Sequence, residues 1–72
     1  MKKFELSENG SKRWFAFQKC VADKDCGTGT YYREEAIEWL ENQIKGGNIV
    51  ARICVCSEES DYCEELITIE DL

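Results

Sequence analysis

One segment of the chain, Arg33–Lys45, has the pattern of an amphipathic α-helix, and strand-like segments lie on both sides of it. The segment is rich in good helix formers, is acidic in its first turn, and meets Gly46 and Gly47 directly after Lys45. At 100° per residue its apolar residues form one stripe, with Trp39 on the flank: Ala36, Ile37, Leu40 and Ile44. The pattern therefore predicts a single helix with one face toward a core.

The residues before the helix are typical of an antiparallel hairpin. Residues 3–7 and 12–19 are extended runs, and Asn9-Gly10 between them can adopt the positive φ angles of a two-residue type I′ turn. Residues 28–32 form either a short third strand or an extended lead into the helix. We therefore expect at least two strands ahead of the helix.

Two further strands are predicted after the helix, over residues 48–56 and 62–70, with a turn at 57–61. The predicted fold class is α+β: an antiparallel sheet of four or five strands with one helix packed on one face, in the order ββ(β)αββ. The other face of the sheet is left to water or to a partner. The chain of 72 residues is expected to form a single domain, 1–72, with one modest core. The predicted core contains Ile37, Leu40, Ile44, Ile49, Ile53 and Ile67.

Acidic residues dominate the second part of the chain. The formal net charge is −6, and residues 31–72 hold eleven of the fifteen acidic residues but only three of the nine basic ones. A field of this sign repels nucleic acids and anionic membrane surfaces and favours encounters with basic proteins. Acidic surfaces also keep small proteins soluble, which is the simpler interpretation.

Neither a membrane segment nor a signal peptide is expected. No run of about 18 apolar residues exists, and Glu5 and Glu8 interrupt the N-terminal region. We therefore expect a cytoplasmic protein, in the cytoplasm of the host cell if a phage encodes it.

The cysteines offer a second kind of site. A metal-binding or thiol-redox module would use Cys20, Cys26, Cys54, Cys56 and Cys63. Their spacing lacks the paired short clips that are typical of zinc sites, and the chain has no histidine to complete a ligand set or to activate a thiol. We therefore expect buried or free thiols that act as small apolar residues, with no metal, no cofactor and no enzymatic activity.

In its length, acidity, single α+β domain and lack of catalytic groups, the chain resembles small phage-encoded anti-CRISPR inhibitor proteins. The resemblance concerns general character and includes no diagnostic motif. It implies stoichiometric binding to a CRISPR effector by an acidic surface that occupies a basic channel meant for nucleic acid.

The partner-binding residues predicted on this basis are acidic residues of the helix and of the last turn: Glu34, Glu38, Glu41, Glu58, Glu59 and Asp61. Spaced carboxylates can imitate a row of phosphates toward a basic protein. Two alternatives remain open: the cysteine-based module, and a homo-oligomeric structural protein whose uncovered sheet face pairs with itself. The aromatic strand at residues 14–17 is the second candidate for the contact surface.

Overall fold

The computed structural model of the protein describes residues 3–20, 28–59 and 63–72. Within them, four strands form an antiparallel sheet in the order β2-β1-β3-β4, and one α-helix packs against it. The elements, in chain order, are β1 (Arg13–Gln18), β2 (Gly29–Thr30), α1 (Arg33–Lys45), β3 (Arg52–Ser57), β4 (Glu65–Ile67) and a 3-10 helix (Ile69–Asp71). The α+β fold class predicted from the sequence is confirmed.

The helix has the predicted bounds. Its last turn meets Gly46, and Gly47 has a φ of +94°, which a glycine adopts without steric cost. Ala36 and Leu40 are fully buried, and Ile37 and Ile44 pack at the margin of the same core. The 3.6-residue period therefore identified the buried side of the helix correctly.

The centre of the sheet is the pair formed by β1 and β3. These strands are paired over their full length, from Arg13 opposite Ser57 to Gln18 opposite Arg52. Phe15, Ile53 and Val55 are fully buried on the face that the helix covers. Strand alternation in the sequence placed Ile53 and Val55 on the core face, whereas for Phe15 it did not decide which face of β1 the helix covers.

The first hairpin differs from the prediction. Residues 3–7 do not form a ladder with β1, because the only bridge between the two segments within the described residues joins Leu6 and Lys12. Gly10 has a φ of +87° but Asn9 does not have a positive φ, so the turn is not of type I′. Instead, Gly10 donates to the Ser7 carbonyl at 2.9 Å and Ser7 donates to the Ser11 carbonyl at 2.7 Å. This is a three-residue loop closed by a left-handed glycine.

The two later strands are shorter than predicted. The strand expected at residues 48–56 begins only at Arg52, and Ile49 is 68% exposed, so its predicted place in the core is wrong. The strand expected at 62–70 is reduced to Glu65–Ile67, and Tyr62 lies outside the described residues. After it, Thr68 caps the 3-10 helix by accepting from the Glu70 backbone N–H. This local cap competes with continuation of the strand.

The face of the sheet away from the helix is less open than predicted. Ala16, Gln18, Cys54 and Cys56 lie on it by strand alternation, yet each is 5% exposed or less. The Arg52 guanidinium donates to the Gln18 side chain at 2.7 Å and covers one end of this face. An exposed central sheet face, which the homo-oligomer hypothesis requires, is therefore not present at these four residues.

Candidate functional site

The outer side of the helix carries three exposed carboxylates, Glu34, Glu38 and Glu41, which we call the acidic ridge. They point away from the sheet because Ala36 and Leu40 occupy the buried side of the same helix. Their positions fall within about 60° of one another around the helix axis, so the three charges form one line. The structure thus brings together the three helix residues predicted from the sequence.

The charge of the acidic ridge is not neutralised by ion pairs in the part of the chain that the structure describes. No carboxylate of the ridge lies within ion-pair distance of a lysine or arginine there. Lys45, which the sequence places one turn after Glu41, forms no such pair with a described residue. The ridge therefore presents its negative charge to solvent.

Arg33, the first residue of the helix, is committed to other carboxylates. Its guanidinium donates to Glu5 at 2.7 and 3.1 Å and to Glu65 at 2.9 and 3.2 Å. These hydrogen bonds hold the pKa of both carboxyl groups below the ordinary value, against the opposing effect of partial burial. Arg33 therefore fixes the start of the helix to the rest of the fold instead of neutralising the ridge.

The acidic turn contacts the segment that leads into the helix. Glu58 and Glu59 are exposed, and Glu58 accepts a hydrogen bond from the Tyr31 hydroxyl at 3.4 Å. Tyr31 packs on Trp14, whose side chain lies on the sheet face away from the helix. Asp61, the third predicted residue of this turn, lies outside the described residues.

An aromatic cluster with a lysine is the feature that the sequence analysis missed. The Phe4 ring stacks on the Tyr32 ring, with 5.1 Å between the ring centres, and it lies edge-on to the Tyr31 ring. The Tyr31 ring in turn lies edge-on to the Trp14 ring, with 4.8 Å between the ring centres. The Lys12 ammonium lies 4.1 Å from the centre of the Phe4 ring. Partial burial raises the pKa of Tyr31, and the nearby Glu58 carboxylate adds to the shift. This cluster ties the first loop to the lead into the helix.

The aromatic strand at residues 14–17 is not a continuous exposed surface. Phe15 and Ala16 have no exposed area, and the Phe17 ring stacks on the ring of Trp39 in the helix. Within residues 14–17 only Trp14 and Phe17 are partly exposed, and strand alternation places them on opposite faces of the sheet.

The cysteines do not converge on one point in the described part of the chain. Cys20 and Cys63 are exposed thiols, whereas Cys54 and Cys56 are buried thiols on the sheet. The Cys56 thiol donates to the Trp14 carbonyl at 3.6 Å. Across residues 3–20, 28–59 and 63–72 there is no group of three metal-ligating side chains, and Cys26 lies outside these ranges.

The fold and its exposed groups define a small α+β domain with a charged helix on one face. Among the described residues, no helix has the length and apolar character needed to cross a membrane. No protein-family model, curated protein or solved structure matches the chain significantly.

Proposed function

We propose that the protein is a non-enzymatic inhibitor or adaptor that binds a basic, nucleic-acid-handling protein through the acidic ridge. The observation that supports this proposal is the exposure of Glu34, Glu38 and Glu41 in one line, without ion pairs from the described residues. Surface charges that serve only solubility do not need to lie in one line. The rigid helix keeps the spacing of the three charges constant during an encounter.

The geometry of the ridge is suited to a channel that normally holds nucleic acid. Glu34 and Glu41 are seven residues apart, which corresponds to about 10 Å along a helix. Duplex DNA carries one charge per ~1.7 Å of its axis, so the ridge imitates only a short and dilute stretch of phosphates. It therefore competes for a few basic side chains, and the rest of the affinity comes from neighbouring contacts.

The general resemblance to anti-CRISPR proteins suggests a CRISPR effector as the first partner to test. In such a complex the exposed charges act chiefly on the rate of association, and added salt weakens their effect. Single exposed pairs contribute only about 0.2–1 kcal/mol, so a single substitution in the ridge has a small effect. Several carboxylates must be changed together.

The test is a triple reversal, Glu34→Lys, Glu38→Lys and Glu41→Lys. A partner is first captured from the native host, identified and purified, and its affinity is then measured by titration at low and moderate salt. We expect at least a roughly tenfold loss of affinity, equal to about 1.4 kcal/mol. Circular dichroism should show an intact fold, because all three side chains are exposed.

A matched control separates the ridge from the overall charge. Glu8 and Glu70 are exposed and lie outside the predicted partner-binding residues, and their double reversal to lysine changes the net charge as much as the double reversal of Glu34 and Glu38 does. The control variant should bind nearly as well as the parent. Equal losses in both variants, or full binding by a folded ridge variant, would contradict the proposal. In the latter case the aromatic cluster around Trp14 and Tyr31 becomes the next surface to test.

A further inference from the structure

A groove of about 550 Å³ runs along one side of the helix, next to β2. Its floor contains Phe17 of β1 and Trp39 of the helix, whose rings stack in parallel with centres 4.4 Å apart. Both side chains are only partly buried. Phe17 covers one face of the Trp39 ring, and the remaining accessible part of Trp39 lines the groove.

The rim of this groove is acidic. Glu35 and Glu38 line it together with Trp39, because residues three and four apart lie on the same side of a helix. Glu38 is exposed and also belongs to the acidic ridge. The Thr30 hydroxyl donates to the Glu35 carboxylate at 3.0 Å and so orients it across the gap between helix and sheet. An aromatic floor thus lies beside two carboxylates, one of them held in place.

This combination selects a particular kind of side chain. A planar guanidinium can stack on an aromatic ring while its N–H groups form a fork toward a carboxylate. An ammonium is a compact, strongly hydrated charge and uses the ring surface less well. A phosphate or another anion is repelled by both carboxylates, and an apolar side chain would remove water from them without replacing its hydrogen bonds.

We propose that the groove seats an arginine side chain of the basic partner, stacked on Trp39 and paired with Glu38. This inference rests on the proposed function, since it assigns the specificity of the same acidic ridge. It adds that the ridge discriminates arginine from lysine, which a purely electrostatic surface does not. Glu34 and Glu41 do not line the groove and supply only the surrounding field.

The experiment titrates the full chain with two synthetic peptides of equal charge, hexa-arginine and hexa-lysine, at low salt. Binding is followed by NMR through the Trp39 indole N–H signal, which a Trp14→Phe variant assigns. Because only a guanidinium can both stack on the ring and form a fork toward the carboxylate, we expect hexa-arginine to bind about threefold more tightly than hexa-lysine. Hexa-arginine should also shift the Trp39 signal more than hexa-lysine does.

Two exposed glutamates of the same helix give the matched comparison. Glu38→Gln should abolish the preference for hexa-arginine. Glu41→Gln should lower the affinity for both peptides equally, so the preference should remain. Equal affinities for the two peptides, an unmoved Trp39 signal, or no binding of either peptide would overturn the inference. The proposed function fails independently of this, if the ridge reversal leaves partner binding intact or if the control reversal weakens partner binding equally.

Discussion

At the scale of single residues, Arg33 joins three segments of the chain through one guanidinium group. It links the start of the helix to Glu5, ahead of β1, and to Glu65 at the beginning of β4. The same group lies 5.3 Å from the centre of the buried Phe15 ring. A bidentate arginine between two carboxylates holds its geometry better than an ordinary surface ion pair.

This arrangement predicts how stability depends on pH. The folded pKa values of Glu5 and Glu65 lie below their ordinary value of 4.5, so their contribution is complete above that pH and is lost as the pH falls through the folded values. Arg33→Met should lower the free energy of unfolding by about 1 kcal/mol near neutral pH. The variant should also lose less stability than the parent between about pH 5 and pH 3.

Urea denaturation followed by tryptophan fluorescence measures both effects. Arg33→Lys is the control, since it keeps the charge but not the fork, and it should fall between the parent and the methionine variant. Identical pH profiles for parent and Arg33→Met would show that the two carboxylates do not depend on Arg33.

At the scale of elements, the helix and the segment after it differ in how deeply their apolar residues are buried. Leu40 is fully buried against the sheet, whereas Ile49, only nine positions later, is 68% exposed. Leu40→Ala should therefore lower the free energy of unfolding by ~2–5 kcal/mol, because it removes buried contacts and leaves a cavity. Ile49→Ala should change it by less than about 0.5 kcal/mol.

Chemical denaturation of the two variants under the same conditions checks this pair. A similar cost for both substitutions would mean that residues 48–50 are packed into the core after all. A negligible cost for Leu40→Ala would contradict the placement of the helix on the sheet.

At the scale of the whole molecule, the thiols report on cooperative opening. Cys54 and Cys56 are buried in the central strand β3, which is paired with β1 on one side and β4 on the other. Cys20 and Cys63 lie at the surface. A reagent can reach the two buried thiols only when the centre of the sheet opens.

In a Cys26→Ser background, Cys20 and Cys63 should react with a thiol reagent at once, whereas Cys54 and Cys56 should react slowly. Mild denaturant should accelerate only the slow pair, since their exposure follows unfolding. Mass spectrometry of peptides after timed labelling separates the four sites. Rapid native labelling of Cys54 or Cys56 would contradict a stable central sheet.

The sequence by itself determined the features that depend on neighbouring residues. The helix Arg33–Lys45 ends where its glycines begin, and its buried stripe follows from a period that needs no knowledge of the partner surface. The core face of Ile53 and Val55 follows from strand alternation in the same way. The line of Glu34, Glu38 and Glu41 is likewise a property of one helix.

Only the tertiary structure decided what depends on residues far apart in the chain. It left Ile49 outside the core, and it buried Cys54 and Cys56 on the face expected to be open. It also stacked Phe17 on Trp39, twenty-two positions away, and so formed the floor of the groove. The physical reason is that strand length, loop geometry and ring stacking are set by which distant surfaces meet, and local patterns carry no record of that pairing.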